Sequence, residues 1–262
     1  MTEPGQRFHP TALIDPEARL AGDVVVGPYC VIGPRVRLGT GCRLESHVVI
    51  QGDTEIGEHC RFSPFASIGG PPQDLKFRGE STRLRIGSSN VFREGVTVHV
   101  GTAGGGGETR IGDGNYFMAQ AHIAHDCQIG NEALFANAAT LAGHVTIQDG
   151  ATIGAFSGIH QFCRVGRQAF IGGYSVVTQD ALPFVLTVGN RATSHGINVI
   201  GLERRGLPAT TIRDLRRAYR TLFRSRLRRD TALATATESW GGVPEVAELI
   251  AFVRESRRGV TL

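Results

Sequence analysis

Nowhere in the 262 residues is there an apolar run of about 18, so no helix of this chain is expected to cross a membrane. The first twenty residues also lack the basic-then-apolar order of a secretory signal. The expectation is a cytoplasmic protein without stable membrane insertion. Aromatics are scarce, at 7%, while glycine reaches 35 residues, a balance that disfavours a helical bundle and favours turn-rich β structure. Lysine is nearly absent: Lys76 is the one exception among 28 basic residues, the others being arginine. The net charge of +4 is modest, and no nucleic-acid partner is expected from it. Its distribution is uneven, because Arg204 to Arg229 holds ten arginines against one acid, Asp214. A local basic field of that kind attracts acidic partners.

What the chain does have is a six-residue period. Large apolar residues fall at Phe8, Ile14, Leu20, Val26, Ile32, Leu38, Leu44, Ile50, Ile56, Phe62 and Ile68. The phase breaks, resumes at Ile86, Phe92 and Val98, breaks again, and runs from Ile111 to Val177. Four residues after each large residue stands a small or β-branched one, such as Ala12, Val24, Val36 or Ala66. Positions two apart on a strand face the same side, so each hexad reads as one short strand and one corner. Three hexads close a triangular coil of about 18 residues, and coils stack at the inter-strand spacing of about 4.8 Å. The expected fold is mainly β: a parallel β-helix of hexapeptide type. Glycines after the large residue, as at Gly27, Gly33, Gly39, Gly57 and Gly69, are expected to relieve the corner. All five cysteines (Cys30, Cys42, Cys60, Cys127, Cys163) share the small position and should point inward as small hydrophobes.

After Pro183 the hexad ends, and from about Ser194 the pattern reads as helices. Pro208 marks a helix start with Thr210 or Thr211 as cap, and Arg213, Arg216, Arg217, Arg220 and Arg224 share one face. A turn at Gly241-Gly242 precedes a last helix around Pro244 to Glu255. The expected division is 1–190 for the β-helix, with loop insertions near 69–85 and 100–110, and 191–262 for a helical domain.

Loops that break a strict repeat are candidate walls of a site. The first holds Asp74 and Lys76, and the second is glycine-rich. With 18 residues per coil as a ruler, His125, Gly143 and Gln161 stack in one column at a corner. His144 follows Gly143, His160 precedes Gln161, and His122 points outward, so four imidazoles line one edge outside the core. Histidine is the natural general base near neutral pH, Asp126 stands ready to orient His125, and Gly143 offers a bare N–H as an oxyanion donor.

The segments AHIAHDC (121–127), NAATLAGHV (137–145), IHQFCRVG (159–166), SIGGPPQDLKF (67–77) and GNRATSHGINVIGLERRG (189–206) resemble the UDP-N-acetylglucosamine O-acyltransferases that open lipid A synthesis in Gram-negative bacteria. The resemblance implies a left-handed β-helix with a C-terminal helical domain, assembled as a homotrimer with sites between subunits. It implies transfer of an R-3-hydroxyacyl chain from acyl carrier protein to the glucosamine 3-hydroxyl of UDP-N-acetylglucosamine, with no metal and no cofactor. His125 would be the base, helped by Asp126, and Gly143 would hold the oxyanion. Asp74, Lys76, His122, His144, His160 and Gln161 would contact sugar, phosphate or acyl chain. Asn198, Arg204 and Arg205 would contact the nucleotide, and the arginine face would meet the acidic carrier. Gly173 would lie at the end of the acyl groove, where a small residue admits a longer chain. Arg191, where histidine is expected, and Ile200, where a carboxylate can stand, depart from the family pattern. Three rivals remain: the sister N-acyltransferase, whose extra N-terminal domain has no room before Phe8; a zinc hydratase with three histidines on the metal; and a non-catalytic β-helix.

Overall fold

The structure, a computed structural model, describes residues 7–262. Each hexad forms a strand of about two residues that ends on the large apolar side chain, as in Val31–Ile32, Arg43–Leu44 and Thr152–Ile153. Among the described residues these strands stack into three sheets of nine, eight and ten strands, one on each face of a prism, parallel throughout except for the last strand of the third. Partners are one coil apart, as in Val31↔Val49, Arg19↔Arg37 and Val25↔Arg43. At the two breaks the pairing jumps to Ser67↔Thr97 and Thr97↔His122, so the insertions loop out and the coil resumes in phase. The fold is a left-handed parallel β-helix followed by helices.

The large residues fill the prism. Phe62, Phe92, Phe117 and Phe135 stack in a column with ring centroids 4.9, 4.8 and 4.7 Å apart. The five cysteines are free and buried, as their position in the hexad requires. The glycines after the large residues have a different reason from the one expected. Tyr29, His47, His59 and Phe65 carry the left-handed corner backbone, with φ near +60°, three residues past the large one. Gly27 and Gly39 are glycine because the next coil passes too close: a Cβ would come within 2.6 Å of the Glu45 carbonyl oxygen or 2.7 Å of the Gly57 carbonyl carbon.

The tail begins later than its pattern suggests. Ala192–Ile197 is a strand antiparallel to Val185–Gly189, and its burial alternates with period two at first. This hairpin extends the third sheet before helices α1 (Val199–Arg204), α2 (Ala209–Phe223), α3 (Arg229–Trp240) and α4 (Pro244–Glu255). Pro208 itself is the cap residue of α2, so Thr210 and Thr211 lie inside the first turn and do not cap. Ile212, Leu215, Ala218 and Tyr219 of α2 join Leu249, Ile250 and Val253 of α4 in a second core. Arg213, Arg216, Arg217 and Arg220 stay exposed on the other face. Replacing Phe117 by Ala should cost about 3–5 kcal/mol in denaturant unfolding, because the column above and below cannot collapse into the gap. Leu75→Ala, at a site 95% exposed, should stay within about 0.5 kcal/mol.

Candidate active site

The coil register brings His122, Thr140, Gly158 and Val176 into one outward column on the first face. The corner that follows presents 124–126, 142–144 and 160–162. Together they form an open pocket lined by Gln73, His122, His125, Gly143, Gly158 and His160 among others.

At its centre is a histidine–aspartate pair. The Asp126 carboxylate is buried, on a residue with φ +61°, and its N–H donates to Thr109 Oγ1 at 2.7 Å. Its Oδ1 accepts the Thr102 N–H at 2.8 Å, and its Oδ2 accepts the Thr102 hydroxyl at 2.6 Å and lies 2.7 Å from His125 Nδ1. An ionised carboxylate only accepts, so the hydrogen on the His125 ring belongs on Nδ1 and the lone pair on Nε2. Gly143 lies directly against that ring: a Cβ there would stand 2.7 Å from Nε2 and 2.5 Å from Cε1. Any other residue at 143 would collide with the imidazole.

The other imidazoles surround this pair. His144 meets His125 edge-on at 5.1 Å, stacks on Phe162 at 4.4 Å, and places Nε2 3.7 Å from Asp126 Oδ2. Burial pushes its pKa down, and the negative charge of Asp126 works against that. His122 Nδ1 is 2.7 Å from Thr97 Oγ1, and burial, then the charge of His125, lowers its pKa. His160 is exposed, with Nδ1 3.2 Å from the Gln161 carbonyl oxygen. The ligating atoms of His125, Asp126 and His144 lie within 4.8 Å of one another. The carboxylate between them already accepts hydrogen bonds from the Thr102 N–H, the Thr102 hydroxyl and His125.

The remaining residues singled out in the sequence do not all meet here. Asp74 sits in the first insertion, accepts the Lys76 N–H at 3.0 Å, and is near enough to His144 to favour its protonated form. Lys76 and Gln161 are exposed. Gly173 lies at the opposite border of the first face, one residue before the exposed Tyr174. Arg205 is on another edge, donating to the Gly150 carbonyl oxygen at 3.0 Å and 3.6 Å from Glu132. Arg204 ends α1, and the Asn198 side chain caps that helix by accepting the Gly201 N–H. Arg191 is exposed in the hairpin turn and Ile200 is exposed on α1.

Several neighbours of the site were not singled out as site residues in the sequence. Gln73 lines the pocket, and Arg258 reaches from the C-terminal tail to within 3.3 Å of His160 Nδ1. Thr102 holds Asp126 from behind. His99 is buried edge-on against His122, ring centroids 5.0 Å apart, and its Nδ1 has no hydrogen-bond partner among the described residues. Burial, then the charges of His122 and His125, pushes the His99 pKa down to about 4. A histidine with its folded pKa below the unfolded value of about 6.5 binds fewer protons folded than unfolded. Stability is therefore lost as pH falls from about 6.5 towards about 4. Unfolding midpoints measured across that window should fall less steeply for His99→Gln than for the parent.

Comparison with known proteins covers nearly the full length of the chain. A family model described as UDP N-acetylglucosamine O-acyltransferase, domain 2, matches residues 180–261. An acyl-[acyl-carrier-protein]–UDP-N-acetylglucosamine O-acyltransferase of Thermodesulfovibrio yellowstonii is 48% identical over 97% of this chain and 98% of its own length. One of Alkalilimnicola ehrlichii is 50% identical over the same shares. The crystal structure of the UDP-N-acetylglucosamine O-acyltransferase of Moraxella catarrhalis superposes with a TM-score of 0.95 at 42% identity, covering 98% of this chain and 100% of the other. With this identity along nearly its full length, the chain belongs to the acyl-[acyl-carrier-protein]–UDP-N-acetylglucosamine O-acyltransferase family.

Proposed function

We propose that this acyltransferase moves an R-3-hydroxyacyl chain from acyl carrier protein to the glucosamine 3-hydroxyl of UDP-N-acetylglucosamine, as the first step of lipid A synthesis, with His125 as general base and without a metal. The observation that carries this reading is the His125–Asp126 pair, whose free Nε2 lies against Gly143 in an open pocket. Nε2 takes the proton of the 3-hydroxyl as its oxygen attacks the thioester carbonyl carbon. The C–O bond forms, the carbonyl oxygen becomes an oxyanion, and the backbone N–H of Gly143 donates to it. That N–H has no backbone acceptor among the described residues. Collapse of the intermediate breaks the C–S bond, and His125 returns the proton to the departing carrier thiol. Asp126 holds the ring and stabilises its charged form without taking its proton.

Asp74, Lys76, His122, His144, His160 and Gln161 serve sugar, phosphate and acyl chain in this reading, and Gly173 leaves room at the groove's end. The exposed arginines of α2 face the acidic carrier. The chain divides after the Val185–Gly189 and Ala192–Ile197 hairpin, near residue 198, into a catalytic prism and a helical unit, and works in the cytoplasm. Asn198, Arg204 and Arg205 contact the nucleotide, yet Arg205 lies on a different edge from His125. A homotrimer resolves this, because one subunit's His125 edge can face another's Arg205 edge.

The test uses two variants and their mixture. His125→Ala should lower turnover by about 10²–10⁴-fold with UDP-N-acetylglucosamine and a hydroxyacyl carrier protein. Arg205→Ala should chiefly raise the KM for the nucleotide sugar. Refolding the two variants together should recover part of the activity at low substrate, since some interfaces then hold both native residues. Parent-like turnover by His125→Ala would overturn the base assignment. A mixture no better than the sum of its parts would overturn the shared site.

A further inference from the structure

The glycine-rich stretch 100–108 is the second break in the repeat, and none of its residues lines the pocket. Its ends are tied to the first insertion: Val100 N–H donates to the Gly70 carbonyl at 3.1 Å, Gly101 N–H to Arg83 at 3.2 Å, and Arg83 N–H to Gly107 at 2.9 Å. Between these ties a single 3₁₀ turn, Ala103–Gly105, starts at Thr102. The Thr102 carbonyl accepts the N–H groups of Gly105 at 3.0 Å and Gly107 at 2.8 Å. This leaves the N–H and hydroxyl of Thr102 aimed at the Asp126 carboxylate, at 2.8 and 2.6 Å. Thr102 is 8% exposed and Asp126 4%, so water does not readily replace either bond. Gly105 closes the other side: a Cβ there would fall 2.0 Å from Asp126 Cγ, so this loop can lie on the carboxylate only with glycine at 105.

We propose that Thr102 is a positioning residue for acyl transfer: it fixes the Asp126 carboxylate, and through it the His125 imidazole, and the glycine-rich insertion is the segment that delivers it. The proposal rests on the reading of His125 as the base. Both Thr102 and His125 donate to Oδ2, so the hydroxyl sets the rotation of the carboxylate towards the ring. Without it, the carboxylate can turn towards the competing His144 Nε2, 3.7 Å away. A base displaced by a fraction of an ångström loses its alignment with the acceptor hydroxyl, while the pocket that binds the sugar is untouched. The signature is a fall in kcat with little change in KM.

Thr102→Val keeps the shape and the backbone N–H but removes the hydroxyl, and Thr102→Ser restores it. The Val variant should lower kcat by about tenfold to a hundredfold, with the KM for UDP-N-acetylglucosamine within about twofold of the parent. The Ser variant should recover to within about threefold. In an Asp126→Ala background, Thr102→Val should cost less than about a further twofold, because both act through one carboxylate. Thr102→Ala, which also lacks the hydroxyl and keeps the backbone N–H, should show the same fall in kcat and the same non-additivity, and it decides the matter if the Val variant does not fold. Parent-like kcat in Thr102→Val, or its full cost added to that of Asp126→Ala, would overturn the proposal. His125→Ala separates the two ideas: if it is inactive while Thr102→Val is fully active, this inference falls and the base reading stands; if it is active, the base reading falls first.

Discussion

Everything in this molecule depends on the close stacking of one coil on the next. Parallel strands of two residues make few hydrogen bonds each, so the stack holds only because every coil repeats the same inward side chains and corner geometry. That constraint explains the phenylalanine column, the buried cysteines and the glycines at 27 and 39, where the neighbouring backbone leaves no room for a Cβ. The same closeness makes the chemistry. Gly143 meets the His125 ring because they stand one coil apart at the same corner, and His144 meets Asp126 for the same reason. A site whose parts come from successive coils inherits its precision from the register of the whole prism.

The reactive pair sits in the unbroken run of coils, and the two breaks in the repeat lie against it. The first insertion brings Gln73 to the pocket wall, and the second places Thr102 behind the Asp126 carboxylate. The two insertions are hydrogen-bonded to each other at their bases, so they form one support with a front and a back. The pocket opens on one side of the His125–Asp126 pair, and Thr102 braces the pair from the other. The helical tail adds a second core and a basic face without disturbing the coil, because the Val185–Gly189 and Ala192–Ile197 hairpin closes the end of the third sheet.

Much of this was legible in the sequence, for a definite reason. A fixed period lets residue number serve as a coordinate, so His125, Gly143 and Gln161 could be placed in one column by counting. Counting fails where the period fails. Thr102 and His99 lie in or beside the second break, so no ruler relates them to Asp126 or His122, and neither residue type signals a site alone. Arg205 was expected as a nucleotide contact at a site between subunits, but a motif carries no edge assignment; the fold puts Arg205 beside Gly150, on a different edge of its own subunit from His125. The strand at Ala192–Ile197 was missed because its partner, not its own pattern, makes it a strand. Proline at 208 fixed the start of α2, while the threonines behind it were already within the helix.

The central claim is that inter-coil stacking, through Gly143, holds the His125 imidazole where it acts as base. Its most direct test is steady-state turnover of Gly143→Ala, measured beside its thermal unfolding. A methyl group at 143 would stand 2.7 Å from His125 Nε2, so the ring must move although the strands on either side need not. The account predicts a loss of turnover of about a hundredfold or more with the unfolding transition largely retained. Parent-like turnover in a folded Gly143→Ala protein would contradict it.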